Sequence, residues 1–213
     1  MNKSILLPLL TMAVMLWSFT TPSKYEEAMK KQINNVYQAN TLDEFQVVIN
    51  ALDRIAQNED DKWEPLYYAG FGYIMMGTRT EDAAQKDKLL DQALEKVTAG
   101  LKLQPQEDEL IVLEGFIHMI RVTVDPATRG QQYSGLSMQA LNKALAMDAN
   151  NPRAMYMLGQ MELGTARFFG SDTTAPCEKL KKAVVLFENQ KPEGELSPVW
   201  GQESAVRAAQ ACN

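Results

Sequence analysis

The chain has 213 residues, enough for one domain of ordinary size with a real core. Its hydrophobic content of 46% and charged content of 23% are globular values and exclude a disordered or coiled-coil chain. The net charge is −6, and Lys and Arg form no cluster or stripe, which excludes nucleic acid and anionic membrane surfaces as expected partners.

Residues 1–24 read MNKSILLPLLTMAVMLWSFTTPSK, with Lys3, an apolar run from Ile5 to Phe19, then small and polar residues. This is the layout of a secretory signal peptide over about 1–20, and the run is short for a bilayer-spanning helix. An uncleaved signal anchor is the alternative. No A-x-A marks the cleavage site, which falls best after Ser18 or Thr20, and no cysteine follows for lipoprotein processing. Loss of Lys3 with the signal takes the charge to about −7. The remainder, 21–213, is expected as one exported domain, periplasmic or secreted, where an oxidising environment permits a disulfide.

Beyond the signal, apolar residues recur at helical spacing and strand-like alternation is missing, so an all-α chain is expected. In chain order, helices are expected over 25–38 and 42–57, the second capped by Thr41 with Glu44 three residues on. The next are 63–76 and about 81–103, with Thr80 as N-cap. A helix over 107–124 stops at Asp125-Pro126, because proline cannot continue it. Another covers 132–147. Helices over 152–168 and 176–188 each carry a proline in the first turn, and a helix over 198–211 is left single.

Three stretches repeat. DDKWEPLYYAGFGY (60–73), PQEDELIVLEGFIH (105–118) and ANNPRAMYMLGQME (149–162) each hold a polar turn, a helix start and a glycine in register. The glycines are Gly70, Gly115 and Gly159, spaced 45 and 44 residues apart. ALEKVTAGLKLQ precedes the second stretch and ALNKALAMDA the third. These features resemble the tetratricopeptide repeat (TPR), a helix-turn-helix unit of about 34 residues. Leu158-Gly159 matches its Leu-Gly pair, and Ala69-Gly70 followed by Tyr73 is close. Ala93, Val97, Gly100 and Pro105 fit one second helix; Ser137, Leu141, Ala144 and Ala149 fit the next. The Trp slot holds Leu66, Ile111 and Met155, and the Tyr slot Tyr73, His118 and Glu162. The period is nearer that of a HEAT repeat, and the surplus is expected between the two helices of a unit, around 77–87 and 122–132.

The resemblance is clearest over 60–190. The tail FENQKPEGELSPVWGQES is also similar to that of exported bacterial TPR proteins of no assigned activity, whose last repeat runs into Pro-x-Trp-Gly. A right-handed solenoid of about four helix hairpins is implied, with 197–213 as capping helix. The glycines would admit a neighbouring helix, offsetting the roughly 1 kcal/mol each costs within a helix. Two antiparallel last helices, each returning about 20 Å from their loop, would bring Cys177 and Cys212 to one end. A disulfide there would close about 36 residues and contribute roughly 3 to 4 kcal/mol; two unlinked thiols are the alternative.

Catalytic signatures are missing. His118 is the only histidine and occupies a packing slot, without a second ligand at metal-binding spacing. No phosphate loop, nucleophile elbow or HExxH occurs. No enzyme activity, cofactor or metal is expected. The resemblance implies that first helices line a concave groove, here Tyr67, Phe71, Ile74, Val112, Phe116, Met119, Tyr156, Gln160 and Leu163. Such a face would bury apolar side chains of a protein or peptide segment. It lacks the basic clamp for acidic C-termini, with only Arg153 nearby, as a candidate rim residue. The opening helix, 25–38, could instead fill it. Asp125, Arg129 and Tyr133 offer a polar rim site, or simply shape a turn, and Phe168 tips a second loop. A protein-binding scaffold is the leading expectation. The alternatives are small-molecule or glycan binding through the rim loops at Arg129 and Phe168, and self-association.

Overall fold

A computed structural model describes residues 23–192 and 194–212; the expected signal peptide lies outside the described residues. Among them are nine α-helices and no strand. They are α1 (Lys24–Gln38), α2 (Leu42–Asn58), α3 (Glu64–Arg79), α4 (Ala83–Leu103), α5 (Asp108–Val122), α6 (Pro126–Met147), α7 (Pro152–Phe169), α8 (Thr174–Asn189) and α9 (Gln202–Gln210).

Six of these nine helices begin where the residue before them accepts an orphaned N–H of the first turn through its side chain; α3, α8 and α9 do not. Ser23 with Glu26, and Thr41 with Glu44, form complete capping boxes. Asp125 and Asn151 each accept an amide of the first turn and precede a proline at its first position. Asp125-Pro126 is therefore a stop and a start together. α6 begins six residues before the expected 132, since Asp125 captures the amide of Thr128 at 3.2 Å. Similarly, α4 is capped by Asp82, which accepts from Gln85 at 2.7 Å, and not by Thr80. Thr80 ends α3, its hydroxyl donating to the Met76 carbonyl. The surplus of each repeat thus lies mainly in extra turns of α4 and α6, with 21 and 22 residues, not in loops.

Each odd helix packs against the even helix that follows it, and α3, α5 and α7 also touch in succession. That gives an inner row of odd helices and an outer row of even ones, with α9 against α8: an all-α solenoid of stacked helix hairpins, as the repeat resemblance implied. The repeat glycines set the closeness of each hairpin. A Cβ on Gly70 would stand 3.3 Å from Val97, on Gly115 2.7 Å from Leu141, and on Gly159 3.0 Å from Leu180. Each contact lies on the hairpin partner, so backbones meet where side chains would separate them. Two apolar clusters run along the stack, and Leu101, Phe116 and Trp200 pack on both.

α9 starts at Gln202, later than expected. Gly201 has φ +108°, and the chain from Gly194 to Gly201 is non-helical. A Cβ at Gly201 would also lie 2.8 Å from the Phe187 ring. Cys177 and Cys212 are disulfide-bonded, tying the end of α9 to the start of α8.

Candidate functional site

Inner-row register carries Tyr67, Phe71 and Ile74 on α3, Val112, Phe116 and Met119 on α5, and Tyr156, Gln160 and Leu163 on α7. The face is not an open groove. Tyr67, Ile74 and Val112 are fully covered, while Phe71, Tyr156 and Leu163 are also buried. Phe116, Met119 and Gln160 are half-buried. Nor is the expected cover, α1, what occupies the centre; it packs against α2 and α3.

The cover is the segment 194–201. Its Trp200 indole lies against two inner-row rings, 5.3 Å from Phe71 at 30° and 5.7 Å from Phe116 at 25°. The indole N–H donates to the Tyr67 hydroxyl at 2.8 Å, which donates in turn to Glu109 at 3.3 Å. Main-chain groups of the segment meet tyrosines: the Tyr68 hydroxyl donates to the Leu196 carbonyl at 2.7 Å, and the Val199 N–H donates to Tyr37 at 3.3 Å. Burial and nearby Glu109 push the Tyr67 hydroxyl well above its ordinary pKa. Burial, with Tyr37, raises that of Tyr68. Both are protonated donors at neutral pH.

Arg153 lies beneath the segment. It was expected beside the groove or at its rim, yet it is 1% exposed. Its guanidinium makes three contacts of 2.8 to 2.9 Å with Glu109 and reaches the Trp200 carbonyl at 3.4 Å. Burial works to lower its pKa, but Glu109 outweighs that and raises it. The pair needs Asn151 too, whose amide donates to Glu109 at 2.8 Å. A cleft of about 880 Å³ opens between this floor and the segment's flank. Glu26, Glu64, Glu107, Asp108, Asp148 and Glu195 line it, so its field is negative.

Past Trp200, the inner row keeps half-buried apolar side chains: Met75 on α3, then Phe116, Met119 and Ile120 on α5. Helical spacing puts the three α5 side chains on one face. This strip is the accessible remainder of the expected groove.

At the rim, Asp125 serves as a helix cap. Arg129 makes two contacts with Asp87 at 2.7 and 2.8 Å, and Arg121 reaches Asp91 at 2.5 Å. Tyr133 stacks on His118 at 5.9 Å, with Arg121 5.6 Å from the Tyr133 ring. Asp125, Arg129 and Tyr133 lie at and just after the start of α6, each with its own partner in Thr128, Asp87 and His118, while buried His118 Nδ1 and Arg121 Nε have no hydrogen-bond partner among the described residues. Phe168 stands elsewhere, 74% exposed and edge-on to Phe169 at the end of α7.

Trp200, Tyr37, Tyr68 and Glu109 were not singled out in the sequence. One signal was present: Pro198-Val-Trp200-Gly201, a tryptophan in a Pro/Gly-rich stretch that needed a place to bury its ring. Among the described residues no helix is long and apolar enough to cross a membrane.

No family model matches the chain, and neither does any curated protein. Among solved structures it is similar to the HusA haemophore from Porphyromonas gingivalis, at 23% identity and a TM-score of 0.80. That similarity covers 90% of this chain and 94% of the other, and it shows a shared fold over that span. Matches to MamA from Desulfovibrio magneticus and to a thermophilic TPR protein from Thermus thermophilus have TM-scores of 0.34 and 0.42. Their identities are 16% and 14%, over 79% and 88% of this chain and 98% of each of those chains.

Proposed function

We propose that this chain is an exported, non-catalytic binding protein that holds a flat apolar ligand of the haem class on its concave face. The observation that carries the reading is the near-parallel seating of Trp200 on Phe71 and Phe116. The face already accepts a planar ring. Similarity of fold to a haemophore supplies the ligand class, and the disulfide suits an oxidising compartment. The negative cleft repels carboxylates, so a porphyrin would take the place of Trp200 on Phe71 and Phe116 and direct its two propionates away from the cleft, past Met75 and Met119. The His118 ring stacks on Tyr133 and its Nδ1 is buried without a hydrogen-bond partner among the described residues; the reading assigns it no bond to iron. Binding would rest on stacking, so iron-free protoporphyrin should bind about as well as haemin.

The test is a titration of the mature chain with haemin and with protoporphyrin. It reads the porphyrin absorbance band and the fluorescence of Trp200 in a Trp63→Phe background. One-to-one saturation with strong quenching is expected for both ligands. Absence of saturable binding by either would sink the reading.

A second reading keeps the leading expectation from the sequence, a protein or peptide segment as ligand. One observation favours it: the inner face holds an extended stretch of its own chain by main-chain bonds to tyrosine hydroxyls. Only a short partner segment would fit, because most of the expected groove residues have no free surface.

A further inference from the structure

The segment between α8 and α9 is built unlike anything else among the described residues. It borrows no helical hydrogen bonds, and two glycines bound it. Gly194 sits in open space, and Gly201 takes a left-handed conformation that a side chain would oppose. Between them, Pro198 is buried, Leu196 and Trp200 are half-buried, and Val199 is 65% exposed. The polar hold consists of the two tyrosine contacts to its main chain, the indole N–H to Tyr67, the Arg153 contact and a Lys30–Glu195 ion pair. Its outer flank, from Gly194 to Pro198, forms a wall of the 880 Å³ cleft.

Releasing the segment would leave few groups stranded. Tyr67 keeps its bond to Glu109 at 3.3 Å. Tyr37 and Tyr68 lie edge to face with rings 6.1 Å apart, so their hydroxyls can turn to each other or to water once the segment leaves. Arg153 keeps its contacts with Glu109. The floor thus remains satisfied, and two phenyl rings are uncovered. The segment could not drift away, since α8 holds one end and α9, locked by Cys177–Cys212, holds the other. A tethered occupant of this kind acts at an effective concentration in the millimolar range and lowers the apparent affinity of any competing ligand.

We propose that residues 194–201 are an internal ligand of the concave face: a strap that occupies the site in the empty protein and lifts about Gly194 and Gly201 to admit cargo. The identity of that cargo rests on the haem-class reading; the strap equilibrium does not.

The experiment uses the full mature chain with its disulfide intact and its Trp200→Ala variant. A labelled synthetic peptide of residues 190–201, QKPEGELSPVWG, is titrated into each. The peptide should bind the variant saturably and the native chain at least about tenfold more weakly, because the native site is filled in cis. Haemin should displace the peptide, and haemin affinity should rise about tenfold in the variant. A folded variant that ignores the peptide overturns the proposal. So does a fall in haemin affinity, which would make Trp200 a stacking partner of the ligand and not its competitor. If haemin binds neither chain, the haem reading fails, and the peptide titration still decides the strap. Should Trp200→Ala not fold by circular dichroism, hydrogen exchange of the native chain takes its place. The Val199 amide, which donates to Tyr37, should exchange faster when haemin is added, or when excess peptide is added if haemin does not bind. Protection or no change overturns the proposal.

Discussion

Glu109 and Arg153 are among the few charged side chains buried in this protein, at 7% and 1% exposure. Neither would be stable there alone, because several kcal/mol of hydration are lost per ion. Glu109→Gln should therefore destabilise the chain by about 3 to 5 kcal/mol, read as a lowered urea midpoint. The double variant Glu109→Leu/Arg153→Met should recover much of that loss, since it removes both desolvation costs. A second residue-scale expectation concerns His118. Burial, then the nearby Arg121 charge, lowers its pKa below the ordinary 6.5. The unfolded chain thus binds a proton that the folded one refuses. Stability is complete above about pH 6.5 and declines as pH falls through that value, levelling off below the folded pKa. Thermal melts between about pH 7.5 and 5 should show this decline, and His118→Gln should flatten part of it. That His118 packs in the stack was legible from its place in the repeat. The burial of Arg153 was not, because its partner lies 44 positions away, on the preceding first helix.

The elements follow from local chemistry to differing degrees. Gly115 and Gly135 look alike as helical glycines, yet their surroundings differ. A Cβ on Gly115 would meet the Leu141 Cγ at 2.7 Å, while one on Gly135 would meet nothing within 4 Å. Gly115→Ala should cost about 1 to 3 kcal/mol through overpacking between α5 and α6. Gly135→Ala should stabilise by up to about 1 kcal/mol through helix propensity; denaturant titration of both separates the two cases. The last helix depends on covalent help: α9 has nine residues and one buried side chain, Ala205. Reducing Cys177–Cys212, which spans 35 positions, should cost roughly 3 to 4 kcal/mol. Hydrogen exchange should locate the loosening first in α9. The Thr41–Glu44 box and the first-turn prolines made some helix starts readable, whereas the cap expected at Thr80 falls to Asp82. The α6 start lies six residues before the expected 132 because Asp125-Pro126, where α5 must stop, also caps the helix that follows, and Gly130 is accommodated within it.

For the whole molecule, ligand binding is the property most sensitive to the inner face. Met119→Glu puts a charge on the half-buried strip beside Phe116, where it opposes both apolar contact and porphyrin propionates. It should weaken haemin binding by at least about tenfold with little change in the circular dichroism spectrum. By itself the sequence determined the all-α class, the hairpin repeat and its glycine contacts, because helical period, caps and close packing are written into residues near one another. It also placed the two cysteines at the same end of a hairpin. The tertiary structure alone decided that the concave face is filled, that Arg153 is buried with Glu109, and that Trp200 is the filler. Those outcomes join α1, α3, α5 and α7 to a segment up to 162 positions away. No local pattern encodes such a contact: the ring seeks whichever apolar surface the completed stack leaves uncovered.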